Sequence, residues 1–530
     1  EVMELCFGKK GADMRKEWMN TYNPTMNSFV NEDTLEKAMS AFLNEEFIVY
    51  SIYSCGRAVP HLMDGWKKSQ RKIAFSAFKK GIKSDYKVKQ FSGYVAEHSG
   101  YHHGEDNLGG TIINMTQDFT GSNNIPFFTK KGQFGSRLEL GADAGDPRYI
   151  HILENEVIKT IFHSEDDDLL KKLVDDGAIV EPEFYVPVIP MILVNGCMGI
   201  GTGWSSTIPT FNPLDIVAGI RQWLADDCPV NIKGTNVRIS IFPEMVPWFR
   251  GFTGEIIKQE VRGHTQFICR GVIDQTEKSK TIVTEIPVDM SIDKFKQFVE
   301  KKVDSKEFKS SKEYNQPNRP YFVIEEFADG TRGSIKNLGL ESNINLTNMV
   351  LFDCDNKIRK YESVEEIMED FCTTRYKYYT LRKESLICKY ENMTPILKLK
   401  IRFLKDVVSG VLVVGGRSIE SIYSDMETLG YNEYVVNVEN VDDNKFKFLL
   451  NIQLFSLTDK KIAALEKELD KILEDIEDLK KKSEKDLWNA DLDEFLKSYN
   501  IWLKDITAKD GKYSRTKDVA VKKTRVKKSA

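Results

Sequence analysis

A run of apolar residues late in the chain does most to limit what it can fold into: Leu457, Ile462, Leu465, Leu469, Ile472, Ile476 and Leu479. After the first gap they stand 3, 4, 3, 4 and 3 residues apart, with Lys and Glu between them. A helix with that spacing carries one narrow apolar seam, which is buried most readily against another helix. An amphipathic helix lying on its own domain's core would show the same seam, but the length and regularity favour a coiled arm. A partner is available upstream, where the pattern through Phe371, Leu381, Leu386, Phe403 and Val407 predicts a long helix beginning after Val364. The two are expected to lie antiparallel.

With 530 residues, the chain is too long for one core, which predicts three or four domains. It opens in mid-pattern at Glu1, like the tail of a preceding domain. Helical spacing follows from Thr34 to Ser54 (Leu35, Met39, Phe42, Leu43, Phe47, Ile48), with Asn31-Glu32-Asp33 as its start. A second helix is expected over Ser69 to Phe78, then short helices and Gly-rich turns up to Tyr149. That alternation suits a small mixed α/β module such as a winged helix. Residues 181–368 change character: Pro182, Pro187, Pro190, Pro209 and Pro213 punctuate short apolar runs. Val237–Ile241 and Thr281–Ile286 alternate as strands. The last residues, Lys517 to Lys528, are basic and polar and predict a disordered tail, suited to nuclear import or a loose DNA contact.

Composition is ordinary for a soluble intracellular protein, 41% hydrophobic and 29% charged. No apolar run approaches the roughly 20 residues of a bilayer span, and no secretory signal opens the chain. The eight cysteines are scattered, which argues against a disulfide framework and a zinc site and fits a reducing compartment. Net charge is −5, yet between Trp66 and Lys89 nine Lys and Arg face a single acid, Asp85. Such a face can track phosphates, and it can equally be a solvated helix surface.

Other features point to phosphate chemistry. Gly56-Arg57-Ala58-Val59-Pro60 leads into Asp64-Gly65-Trp66-Lys67-Lys68-Ser69-Gln70-Arg71-Lys72, a turn before the basic start of a helix. Tyr101-His102-His103-Gly104-Glu105 offers two imidazoles that can donate to phosphate or relay a proton. As a metal site that pair is weak, since adjacent residues rarely share a face. In Asp146-Pro147-Arg148-Tyr149-Ile150 a tyrosine hydroxyl follows an arginine. The guanidinium can neutralise a phosphate oxygen while the phenolate attacks phosphorus. An unperturbed tyrosine has a pKa near ~10, so cations or a base must assist it.

In order and spacing these blocks, with Gly121-Ser122-Asn123-Asn124 and Gly132-Gln133-Phe134-Gly135-Ser136-Arg137, resemble the breakage-reunion region of type IIA DNA topoisomerases, the eukaryotic and large-DNA-virus branch above all. The likeness continues through Pro187-Val188-Ile189-Pro190, Gly199-Ile200-Gly201-Thr202-Gly203-Trp204, Arg250-Gly251-Phe252-Thr253-Gly254 and Thr284-Glu285-Ile286-Pro287 to Lys482–Trp488, nearly the whole chain. It implies a multidomain α+β fold: the end of a TOPRIM-like domain and linker at 1–28, a winged-helix DNA-binding domain with the catalytic tyrosine at 29–180, and a strand-rich tower at 181–368. A long antiparallel coiled-coil exit gate with the dimerisation region would follow at 369–505, then a basic flexible tail at 506–530. Tyr149 matches the nucleophile, Arg148 the clamp on the scissile phosphate, and Arg57 and His103 its assistants. Lys67, Arg71, Lys72, His102, Ser122, Asn123 and Gln133 fall at expected DNA contacts. Ile200 matches an apolar wedge that bends the duplex. The implied partners are double-stranded DNA, a second copy joined near Phe446–Leu457, and TOPRIM and ATPase regions in cis or trans, with no membrane. The implied location is the nucleus, or the host cytoplasm or viral factory.

The same resemblance implies Mg²⁺ and ATP, with both sets of ligands expected outside this chain. Asp353-Cys354-Asp355 and Asp491-Leu492-Asp493 carry the Asp-x-Asp spacing of the metal site in the wrong context and read as surface acids. Lys68 stands where the family usually has proline, and Asp146 where it has a small residue beside the nucleophile. Gly109-Gly110 replaces bulkier residues near the cleavage-poison pocket, which predicts weakened poison sensitivity. A second reading makes the chain a DNA-bending and gating component that does not cut without its partners.

Overall fold

A computed structural model describes residues 2–8, 11–22, 36–225, 242–261, 263–277, 279–325, 333–431, 446–452 and 458–514. The helix start at Asn31–Asp33, the Val237–Ile241 strand, the first seam position Leu457 and the basic tail lie outside these residues. The chain forms two compact units: one takes the residues up to Ser164, Leu170–Arg375 and those from Asp491 onward, the other Glu165–Leu169 and Tyr376–Ala490. Apart from Glu165–Leu169, segments 29–180 and 181–368 thus fall in one unit, and the division falls inside two long helices, Val364–Val408 and Glu484–Ser514. The fold is mixed helix and strand.

In the first unit, the helices Val2–Phe7 and Ala12–Asn20 put Cys6, Trp18 and Met19 into a core with Leu43, Ile48 and Cys55. The expected helix after Thr34 is broken in character: Met39–Phe42 is α, Leu43–Phe47 is a π-turn, and Ile48–Ala58 is α again. Nothing in apolar spacing signals that extra residue per turn. Helix Lys68–Lys80 is followed by Val88–Ser99 and Glu105–Thr116. Each of the first two ends on a glycine in the left-handed region, Gly81 and Gly100, the conformation glycine adopts at no steric cost. These helices accompany a three-stranded antiparallel sheet ordered Tyr86–Lys87, His151–Glu154, Phe128–Lys131.

Further along, a four-stranded sheet runs Val272–Asp274, Lys280–Glu285, Phe322–Glu325, Ser310–Glu313. The helix Ile292–Asp304 closes it, burying Ile292, Phe295 and Val299 against Val283, Phe322 and Ile324. A separate three-stranded sheet pairs His264–Arg270 with Glu341–Asn345 and Glu255–Val261. Arg137 ties the glycine-rich block to this strand-rich part. It is almost fully buried, 2.6 Å from Glu285 and donating to the Ile286 carbonyl.

In the second unit most of the described seam residues are buried against another helix. Thr458 caps the helix Asp459–Lys481, and Ile462, Leu465, Ile472 and Ile476 pack on Leu397, Ile401 and Leu404. The two helices are antiparallel, because Lys405 pairs with Glu466 at one end and Glu391 with Lys480 at the other. Phe446 and Leu449, from the expected dimerisation segment, are instead buried in this unit's own core with Phe403, Ile422 and Met426. Val408, Val411, Val413 and Ile419 remain exposed.

Candidate active site

Tyr149 sits on the turn just before His151–Glu154, the central strand of the three-stranded sheet. The turn closes through Tyr149 N–H to the Asp146 carbonyl (2.9 Å) and is pinned outside by Lys89 N–H to Pro147 and Val88 N–H to Ile150. Gly109 lets a helix approach: a Cβ there would stand 3.2 Å from Pro147 Cγ, whereas Gly110 faces open space. Ile150 is buried and anchors the loop. Tyr149 itself is 74% exposed. The result is a rigid platform presenting a free phenol, with the Arg148 guanidinium carbon 5.7 Å from the ring centroid.

Arg148 is engaged. Its Nε and terminal nitrogen donate to the two carboxylate oxygens of Asp146 at 3.0 and 2.9 Å, and its backbone N–H adds 2.9 Å. These bonds, led by the side-chain pair, hold the Asp146 carboxyl down at about 2. Asp146 therefore occupies the guanidinium with the two oxygens a phosphate would otherwise offer.

A second cluster forms at the end of helix Ile48–Ala58. Arg57 acts electrostatically on Tyr101, whose ring meets His103 edge-on at 5.4 Å. Tyr53, one turn before Arg57, bonds through its hydroxyl to His103 Nε2. Partial burial, then Arg57, His102, Lys68 and Lys72, push His103 below the ordinary imidazole value. Among the described residues no hydrogen bond or ion pair joins this cluster to Tyr149. Lys89 is paired with Asp106 (2.9 Å) and Glu105 (3.6 Å) and acts electrostatically on Asp146.

Ile200 is 82% exposed at the end of strand Cys197–Ile200, hairpinned with Ser205–Ile208. A side chain at Gly199 would collide with the Ala58 carbonyl, so glycine is what lets this hairpin sit on the helix that carries Arg57. Lys67 Nζ bonds the Met198 carbonyl at 2.7 Å. The structure thus brings Arg57, Lys67 and Ile200 together.

Two other expected DNA contacts are turned inward. Arg71 is buried and bidentate on Asp64 (2.6 and 3.0 Å); Lys72 is buried between Glu181 (2.9 Å) and the Ser99 carbonyl. Both correct the reading of a uniformly basic helix face, since desolvated carboxylates claim them. Ser122 bonds the Phe119 carbonyl and Asn123 those of Asn114 and Gln117. Gln133, exposed, donates to Asp143 at 3.1 Å. His102 is exposed, 3.5 Å from Asp175.

The acids fit Mg²⁺ poorly. Asp146 holds Arg148, Asp143 holds Ser136 and Gln133, and Asp353 accepts two backbone N–H groups. Asp493 pairs with Arg221. Asp491 proves buried, 3.8 Å from His163, because it falls on the inner face of its helix with Phe495. His102, Asp175 and Asp176 bring ligand atoms within 4.8 Å of one another, but on an exposed hairpin.

An exposed phenol with a guanidinium beside it has the make-up that nucleophilic chemistry on a phosphate ester calls for. Residues 57–493 match the family model for the DNA gyrase/topoisomerase IV A-subunit. The chain is 36% identical to DNA topoisomerase 2 of Invertebrate iridescent virus 6, over 96% of this chain and 42% of that protein. It is 33% identical to DNA topoisomerase 2 of Saccharomyces cerevisiae, over 98% and 39%. The crystal structure of the Plasmodium falciparum topoisomerase II DNA-binding, cleavage and re-ligation domain superposes with a TM-score of 0.84 at 32% identity, covering 96% of this chain and 70% of that one. This chain belongs to the type II DNA topoisomerase family, and it spans about two fifths of the length of these curated relatives.

Proposed function

We propose that the chain is the DNA-breaking and DNA-rejoining portion of an ATP-dependent type II topoisomerase, with Tyr149 as nucleophile. The Tyr149 oxygen bonds to phosphorus as the bond from phosphorus to O3′ breaks. The phenol gives up its proton and the departing O3′ takes one up, leaving a 5′-phosphotyrosyl link and a free 3′-hydroxyl. One ester replaces another, so reversal reseals the strand without an external energy source. The observation that carries this reading is the exposed Tyr149 on its pinned turn beside Arg148.

In this reading Arg148, once released from Asp146, clamps the scissile phosphate, and Arg57 and His103 neutralise and donate to it. Lys67 tracks the backbone, and Ile200 on its docked hairpin opens a base step and bends the duplex. His102 and Gln133 lie on the exposed surface where duplex DNA would pass. The module around Tyr149 serves as the winged-helix domain, the sheets beyond it as the tower, and the antiparallel helix pair as the exit gate. The exposed Val408, Val411, Val413 and Ile419 support a homodimer contact there, so that two protomers cut the two strands of one duplex and a second duplex passes through, relaxing supercoils and decatenating DNA. Mg²⁺ and ATP would act through ligands supplied from outside this chain. The basic tail suits a nuclear address, or a host-cytoplasmic one for a viral protein.

The test joins this chain to metal-binding and ATPase regions, in cis or trans, and traps the protein on supercoiled plasmid with detergent. Covalent adducts are expected from the parent and none from Tyr149→Phe; adducts that persist in the variant would remove Tyr149 from its role.

A further inference from the structure

Tyr53 has no part in the scheme above, yet its position is specific. It precedes Arg57 by four residues on helix Ile48–Ala58, so both project from one face. His103 arrives from another element, the turn after helix Val88–Ser99, where Gly104 takes φ +86°. The Tyr53 hydroxyl meets Nε2 of that imidazole, with ring centroids 5.8 Å apart. The Tyr101 ring also packs edge-on against the imidazole, with ring centroids 5.4 Å apart. Within the described residues Nδ1 makes no hydrogen bond.

A neutral imidazole has one N–H and one lone pair, so fixing one nitrogen fixes the other. Partial burial first, and then the cations around His103, lower its pKa from the ordinary imidazole value and so favour the neutral ring. If Nε2 carried the proton and donated to Tyr53, Nδ1 would present a lone pair, which repels a phosphate oxygen. If the Tyr53 hydroxyl donates, Nδ1–H becomes the free donor.

We propose that Tyr53 is a positioning residue for His103: its hydroxyl donates to Nε2 and holds the imidazole in the Nδ1–H form, the form that can hydrogen-bond the phosphate Tyr149 attacks. This rests on the cleavage reading for its consequence, but not for the tautomer itself.

Two measurements test it, and their failures differ in meaning. In protein labelled with ¹⁵N-histidine, with His103 assigned by its loss in His103→Gln, the parent should show a protonated Nδ1 and an acceptor Nε2. Tyr53→Phe, which keeps the ring and removes the hydroxyl, should shift the proton toward Nε2. A parent with Nε2 protonated overturns the proposal. In the adduct assay with the joined metal-binding and ATPase regions, Tyr53→Phe should slow adduct formation about tenfold, the worth of one hydrogen bond. In a His103→Gln background it should cost nothing further. A full tenfold loss in both backgrounds would show that Tyr53 acts elsewhere and overturn the proposal. A parent that forms no adduct at all would sink the cleavage reading while the nitrogen shifts still decide the tautomer.

Discussion

Arg71–Asp64 and Arg148–Asp146 are chemically the same pair, each with two guanidinium nitrogens on one carboxylate. Their surroundings make them opposites. Asp64 is fully buried and also accepts the Trp66 and Tyr185 N–H groups at 3.0 Å each. Asp146 and Arg148 stand in solvent, with side chains 42% and 66% exposed. Burial makes the first pair a fastener, whose partners cannot part without leaving a bare charge in the core. Exposure makes the second a clasp that water, salt or a phosphate can open. The largest effect that could break this contrast is on folding. Arg71→Ala should destabilise the chain by about 3–5 kcal/mol in chemical denaturation. Replacing both partners with apolar residues, Arg71→Met with Asp64→Leu, should recover most of that. A loss below about 1 kcal/mol would mean the pair is solvated after all.

Acid should divide the two regions as well. His61 is buried against Phe184, with ring centroids 4.4 Å apart, and its Nδ1 accepts the Met63 N–H. Burial first, then Arg71, pushes it down to about 3, against a raising influence from Asp64. The unfolded chain protonates this histidine below about 6.5, whereas the folded chain does not until about 3. Between those values the unfolded state binds the extra proton, so stability falls as pH falls, by about 1.4 kcal/mol per pH unit. His61→Asn, which keeps an acceptor for Met63, should flatten that part of the stability–pH curve. An unchanged slope would show that His61 is not the group responsible. Asp146 stays ionised down to about 2, so the exposed clasp should survive the same titration.

How much of this was readable from sequence follows from the range of the interactions. The helix pair was legible because its seam repeats at fixed spacing, and Ile462, Leu465, Ile472 and Ile476 are buried as the pattern requires. Tyr149 was legible because its motif is local, and the turn that displays it is made by its own neighbours. The fates of Arg71 and Lys72 were not. A run of lysines and arginines looks uniformly basic until a fold supplies Glu181, more than a hundred positions from Lys72, to neutralise one of them. Asp64 stood within the same motif and was the available signal for Arg71. Tyr53 was missed for the same reason as Lys72, since its partner His103 comes from a different helix's turn. Asn124 stands in the sequence only as one member of a glycine-led block. It proves to be an internal tie, bonding the Val194, Phe211 and Trp248 carbonyls and accepting the Arg250 N–H.

The smallest expected effect tests the clasp directly. In the free protein the Asp146 carboxylate takes the Arg148 guanidinium nitrogens; if Arg148 clamps the scissile phosphate as proposed, DNA must displace it. An exposed pair is readily displaced, and the Asp146 charge also repels the incoming phosphate. Asp146→Ser removes both the competitor and the repulsion. DNA binding in ~50 mM salt should tighten by about threefold, and the gain should shrink as salt is raised and screens the removed charge. In an Arg148→Ala background the competitive part of the gain has nothing to act on, so the Asp146→Ser effect should fall to the residual repulsion alone. Weaker binding by Asp146→Ser would reverse the interpretation. Asp146 would then hold Arg148 in its productive place, and the exposed pair would be a fastener like the buried one.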